Sequence, residues 1–272
     1  MSNRLFLYKF VAMKMTDITK ENYCLKESAK EVLANNSTGR FTKPTDNLYP
    51  HQWSWDAGFI AMGYAHYNQA AAERDLLHLF SGQWDNGMVP HIVFDDRGFE
   101  DKYFPGPSFW KTEHAANTPN TVQISGICQP PIHARAVRHL LRHAQNREKA
   151  LSFADAIYPG IAAWHNYLYR ERDKENDGLV YIRHPWESGQ DNSPLWDPIL
   201  NSMETDSSEL PVYLRKDITH IHAAERPTDL DYDRYIYLVD FFRKNSYDEK
   251  AIRREGPSPV YLSEHTLLLP VR

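Results

Sequence analysis

Cysteine is scarce in this 272-residue sequence: only Cys24 and Cys128, far apart in the chain. Two distant cysteines exclude a disulfide-dense secreted scaffold and lack the paired spacing of a tetrahedral zinc site. They read as free thiols in a reducing compartment. The N-terminal apolar stretch Leu5-Phe6-Leu7-Tyr8-Lys9-Phe10-Val11-Ala12-Met13 is interrupted by Lys9 and too short to span a bilayer, and no small-residue cleavage site follows it. A cytoplasmic protein without a membrane partner is expected. Basic clusters are missing as well. The 31 Lys and Arg are scattered among 36 acids, for a net charge of -5, so no nucleic-acid footprint is present. There is no Walker sequence, no G-x-G-x-x-G and no G-x-S-x-G, which removes the usual phosphate, dinucleotide and serine-nucleophile signatures. Asp173 to Gly178 loosely follows a calcium loop, but the position requiring a bidentate Glu is His184. His220-Ile221-His222 has no companion ligands for zinc. Neither a metal nor a cofactor is expected.

Aromatic residues, by contrast, are plentiful: 7 Trp, 16 Tyr and 12 Phe. Such rings build cores, and they also stack on the flat apolar faces of ligands such as sugars. Apolar periodicity predicts helices over Asp17 to Asn36, from Trp55 to about Asn68, over Ala70 to Phe80, Pro131 to Gln145, Glu148 to Arg170 with a break at Pro159-Gly160, and Asp229 to Asn245. Small residues (Ala57, Gly58, Ala61, Gly63, Ala65) would let the early helices approach closely. Residues 81 to 130 read mostly as loop, with a short strand over Met88 to Phe94 that Pro90 confines to an edge. Loops this long inside a domain usually carry function. Strand signals are few and brief, so the fold class is all-α, built from helix hairpins joined by unequal loops.

Four segments hold groups able to do chemistry. In Trp186-Glu187-Ser188-Gly189-Gln190-Asp191-Asn192-Ser193-Pro194, the rings of Trp186 and Trp196 flank Glu187, Asp191 and Asp197. A carboxyl beside apolar rings is poorly hydrated, so its pKa rises, as a general acid requires. A capping loop that starts a short helix at Asp191-Asn192-Ser193-Pro194 explains the same spacing. Tyr49-x-x-x-Trp53-x-Trp55-Asp56 would stack and hydrogen-bond a sugar, or form a buried cluster with Asp56 as an early-helix acid. Met88-Val89-Pro90-His91 places His91 beyond the Asn86-Gly87 turn, as a ligand contact or a structural histidine. Arg226-Pro227-Thr228-Asp229-Leu230-Asp231-Tyr232 would clamp a carboxylate through Arg226, or simply start a helix capped by Thr228 or Asp229.

Taken in chain order, the Tyr49 segment, the Met88 segment, Gln129-Pro130-Pro131, the Trp186 segment and the Arg226 segment together resemble the mannosylglycerate and glucosylglycerate hydrolases of glycoside hydrolase family 63 and its relatives, over roughly residues 25 to 245. The resemblance implies an (α/α)6 toroid of the six-hairpin glycosidase type. It also implies inverting hydrolysis of an α-glycosidic bond in a small glycoside, without a metal. Asp191 matches the family's general acid. Tyr49, Trp53, Trp55, Asp56, His91 and Gln129 match its sugar subsite, and Arg226 and Tyr232 match positions that hold glycerate. The family's general base is a Glu in the second half of the toroid, and no residue of this chain matches it. The expectation is therefore a toroid incomplete at its C-terminus: a ragged extension over 1–16, the N-terminal part of the hydrolase domain over 17–245, and an atypical tail over 246–272 that suits a truncated or frame-shifted reading frame. Two rival readings stay open: a sugar-binding remnant unable to catalyse, and an enzyme for a neutral disaccharide, as in trehalase-like relatives, for which Arg226 would have no carboxylate to bind.

Overall fold

A computed structural model describes residues 24–45, 48–99, 101–173, 176–203, 205, 207–219, 222, 226–255 and 269–270. The expected cap at Asp17, the stretch 1–16, His220-Ile221 and most of the tail beyond Glu255 lie outside these residues. Helices dominate. They are α1 (24–36), α2 (Ser54–Tyr64), α3 (Gln69–Phe80), α4 (Pro107–Trp110), α5 (His133–His143), α6 (Arg147–Arg172), α7 (Asp197–Ser202), α8 (Asp229–Lys244) and α9 (Glu249–Glu255). Strands β1 (Gln52–Trp53) and β2 (Ile92–Val93) pair antiparallel, as do β3 (Leu179–Val180) and β4 (Leu269–Pro270). The all-α reading of the sequence holds, and the strands are two-residue clips between long loops.

Capping sets several helix starts. Asn68 accepts from Ala71 N at 3.2 Å, Asn146 from Lys149 N at 3.0 Å and Thr228 from Asp231 N at 3.2 Å. Each satisfies a backbone donor that the first turn leaves open. The small residues of α2 bring its neighbours close. A Cβ on Gly58 would lie 2.4 Å from the Ile132 side chain. Ala61, Ala72, Ala136, Leu140 and Ala150, all fully buried, form one core where α2, α3, α5 and α6 meet. A second core, richer in aromatics, joins Trp110, Trp164, Tyr167, Trp196 and Tyr235 beneath the long loops. Tyr247 is buried in this core, where Gly126 makes room for its ring and its hydroxyl donates to the Trp110 carbonyl.

Two expectations need revision. Helix α6 runs unbroken through Pro159. Proline costs a helix interior about 3 kcal/mol, but Pro159 sits on the exposed side while Phe153, Ile157, Ile161, Trp164 and Tyr167 bury the other face over four turns. The strand over Met88 to Phe94 shrinks to Ile92–Val93. The rest is held irregularly, by His91 N to Ile127 O at 2.7 Å and Phe94 N to Gln123 O at 2.9 Å.

Candidate active site

Four loops and the starts of α2 and α8 converge on a cavity of about 210 Å³. That is below the roughly 300–1,000 Å³ of pockets that take drug-sized molecules, so it suits a small ligand. Every residue nominated from the sequence lines it: Tyr49, Trp53, Trp55, Asp56, His91, Gln129, Asp191, Arg226 and Tyr232.

The Trp186 loop is held from beneath by Glu187. This side chain is fully buried and turned away from the cavity. It receives both Arg172 guanidinium nitrogens, at 2.8 and 3.0 Å, the Arg183 N–H at 2.6 Å and the Cys128 N–H at 3.2 Å. Burial alone would raise its pKa, but the Arg172 charge and these donors outweigh it and hold the carboxyl at about 2. Next to it, His184 accepts from Trp186 N at Nδ1 (3.0 Å), so the proton sits on Nε2, which donates to the Tyr235 carbonyl at 3.1 Å. The ring is neutral, its pKa pushed by burial to about 4. Gly189 then turns the chain with φ of +69°, against the Trp55 ring; a Cβ there would lie 3.3 Å from Trp55.

This anchoring delivers Asp191 to the cavity. Its backbone carbonyl accepts from the Tyr235 hydroxyl at 2.8 Å, and the preceding carbonyl of Gln190 accepts from Trp196 Nε1 at 2.9 Å. Burial raises the Asp191 pKa, against the opposing pull of its own N–H and of Arg226. Asp197, the third acid of the segment, is exposed in the first turn of α7. The structure thus separates three neighbouring carboxyls into a buried ion-pair partner, a cavity group with a raised pKa and a solvated helix-start acid. The alternative of a capping loop is also present: Ser193 accepts from Leu195 N at 3.4 Å to start the short turn Pro194–Trp196.

Aromatic rings form the opposite wall. Tyr49 meets Trp53 edge-on with centroids 4.9 Å apart, Trp53 meets Tyr103 at 5.2 Å, and His91 lies nearly parallel to Trp186 at 6.2 Å. Gln129 fixes the start of α2 by accepting from Trp55 N at 3.1 Å. Asp56 occupies the first turn of α2, and burial raises its pKa. His91 is buried and neutral, its pKa lowered to about 3 by burial, with Nδ1 2.6 Å from Ser125 Oγ.

The remaining side is cationic. Arg226 donates to Asp217 at 3.1 Å; Asp217 also takes Arg215 at 2.8 Å, and the Arg215 guanidinium lies 4.4 Å from the Tyr232 ring centre. Burial works against the Asp217 charge, but the two guanidiniums hold its pKa below the ordinary value. Lys216 and Lys102 line the cavity too. Trp186, read from the sequence only as a flanking ring, is a lining residue, and Tyr103, Lys102, Lys216 and Asp217 went unnoticed. They lie in stretches without periodicity, where no motif marks a residue. The cavity therefore combines a poorly hydrated carboxyl, stacking surfaces and a fixed guanidinium, a set able to protonate an ether oxygen and orient an anion.

Over residues 49–264 the chain matches the mannosylglycerate hydrolase MGH1-like glycoside hydrolase domain. It is 48% identical to a mannosylglycerate hydrolase of Rubrobacter radiotolerans, over 84% of this chain and 51% of that one. It is 40% identical to a glucosylglycerate hydrolase of Mycolicibacterium hassiacum, over 84% and 52%. Among solved structures, the glycoside hydrolase family 63 mannosylglycerate hydrolase of Thermus thermophilus, in complex with Tris and D-glycerate, superposes with a TM-score of 0.78 at 43% identity, covering 86% of this chain and 54% of that one. The all-α toroid expected from the resemblance is thus the fold to which these helices belong. The chain spans about half the length of the relatives it matches. Fold, motif order and profile agree that the chain belongs to the family of mannosylglycerate hydrolase MGH1-like glycoside hydrolase domains.

Proposed function

We propose that this chain supplies the acid side of a site that hydrolyses an α-glycosidic bond to glycerate, with mannosylglycerate or glucosylglycerate as substrate. The observation that carries the reading is the cavity shared by Asp191, raised in pKa by burial, and Arg226, held by Asp217. Asp191 donates its proton to the glycosidic oxygen as the bond to the anomeric carbon breaks. Asp56 and Gln129 hold sugar hydroxyls, the rings of Tyr49, Trp53 and Trp55 cover the sugar, and Arg226 with Tyr232 receives the glycerate carboxylate. Inversion requires a second carboxylate about 6.5–9.5 Å from the acid to activate water on the opposite face; the relatives' greater length leaves room for it outside the shared half. No helix among the described residues is long and apolar enough to cross a membrane. The exposed Cys24 thiol and the unpaired Cys128 support a cytoplasmic location.

The test joins the chain to the second half of a relative that carries the base, incubates this full-length form with each glycoside, and follows free hexose and glycerate by chromatography. Asp191→Asn should lower turnover by roughly 10²–10⁴-fold, because the leaving oxygen then departs unprotonated. Calorimetric titration with D-glycerate should show binding lost in Arg226→Ala. Normal turnover in Asp191→Asn would sink the acid assignment, and unchanged glycerate binding in Arg226→Ala would favour a neutral disaccharide. Binding without turnover identifies the second reading, a sugar-binding unit, which the half-length match to the relatives favours.

A further inference from the structure

Well away from this cavity, three histidines meet on the surface where α2 and α5 end. His139 and His143 stand one turn apart on α5, and His66 lies in the turn between α2 and α3. One ligand atom from each ring lies within 4.8 Å of the others. His139 Nε2 and His66 Nε2 are 3.0 Å apart, and the ring centroids of His66 and His143 are 4.2 Å apart.

We propose that His66, His139 and His143 form a binding site for one divalent first-row transition ion, with solvent completing its coordination. Imidazole nitrogen suits zinc, nickel, cobalt and copper, whereas magnesium and calcium prefer oxygen ligands. With metal–nitrogen bonds of about 2.0–2.1 Å and tetrahedral angles, the nitrogens need to be roughly 3.4 Å apart. One pair is already closer than this, and modest rotation of the rings brings in the third.

The backbone that carries these rings is fixed before any ion arrives. Gln145, just past α5, donates to the Ala65 carbonyl at 2.8 Å and accepts from Gln69 N at 3.0 Å. In return, the Gln69 side chain accepts from Asn146 N at 2.8 Å and donates to the Asn146 carbonyl at 3.0 Å. These reciprocal amide bonds clamp the α2–α3 turn to the α5–α6 turn, so His66 is held against α5. The C-terminal ends of two helices, α2 and α5, also converge here, and their partial negative charge favours a cation. Lys26, Arg135 and Arg142 face the cluster and oppose a cation, which selects for ions bound by strong metal–nitrogen bonds over weakly held ones.

The test is calorimetric titration of the tag-free full chain with zinc, with cobalt(II) absorption as a second probe. One zinc per chain is expected, with visible cobalt bands of a low-symmetry nitrogen site, and a melting temperature raised by on the order of 5 °C at saturating zinc and reversed by chelator. His139→Asn, and independently His66→Asn from the other segment, should each weaken binding at least tenfold while leaving the metal-free melting temperature within about 1 °C. No stoichiometric binding by the wild-type chain would overturn the proposal. So would wild-type affinity in both variants.

Discussion

Replacing Glu187 by Gln should destabilise the chain severely, although Glu187 does not line the cavity. The lowering of its pKa from the ordinary 4.5 to about 2 corresponds to about 3 kcal/mol of preference for the charged form in the fold. Glutamine keeps the size and two hydrogen-bonding ends but leaves the Arg172 guanidinium, 3% exposed, without its counter-charge. Breaking a buried pair from one side costs about 3–5 kcal/mol. Urea unfolding followed by circular dichroism should therefore show a loss of that order at pH 7. The pH dependence adds a second readout. The folded state binds the Glu187 proton more weakly than the unfolded chain does, so the contribution is fully present above pH 4.5 and disappears as pH falls towards 2. Wild-type stability should drop through that window, and the variant should drop less. A loss below about 1 kcal/mol at neutral pH, with an unchanged acid limb, would refute the assignment of Glu187 as the ion-paired anchor of the Asp191 loop.

Further substitutions probe other contacts. Gly87 has φ of +97°, and a Cβ there would lie 2.4 Å from the Ala163 carbonyl of α6; Gly87→Ala should cost roughly 2–5 kcal/mol in the same unfolding assay, through left-handed strain and overpacking. Asp75 behaves oppositely to Glu187. Burial raises its pKa to about 6 despite Arg74 and Thr42, so the charged form costs stability as pH rises from 3.8 to 6. The shift corresponds to about 3 kcal/mol, and the weaker bond that asparagine accepts from Arg74 offsets part of it, so Asp75→Asn should gain about 1–2 kcal/mol at pH 7 and little at pH 3, measured by thermal melts at the two pH values.

Much of the fold was legible because its signals are local. Apolar periodicity, with Thr228 as a cap for α8, locates α3, α6 and α8 within a few residues. Pro159-Gly160 misled because local propensity argues for a break, whereas Gly160 is there for packing. A Cβ on it would lie 2.9 Å from both Gln83 and Phe80, and its carbonyl accepts from Gln83 at 2.8 Å. The apolar spacing of α1 also overstated burial. Leu25 and Val32 are mostly exposed, and only Leu33 packs inward, against Gly63. At the cavity, residues embedded in distinctive runs were readable. Lys216 and Asp217 were not, because their role depends on Arg215 and Arg226 being brought to them by tertiary structure.

The division of labour among the three acids of the Trp186 loop shows why proximity to rings is insufficient to identify a proton donor. Glu187 and Asp191 are both flanked by aromatics and both shielded from water, and desolvation raises the pKa of each. What separates them is the supply of donors. Glu187 meets a guanidinium and two backbone N–H groups, and these stabilise the carboxylate by more than burial costs it. At Asp191, Tyr235 and Trp196 direct their donors to backbone carbonyls instead, so the loop is fixed without charging the side chain. A loop held by its backbone can present an acid whose pKa burial raises, whereas a loop held through that acid would have ionised it. Tyr235 is thus the residue on which the geometry of Asp191 depends without contact between their side-chain oxygens being required, and Glu187 is the charge that frees Asp191 from having to anchor the loop itself.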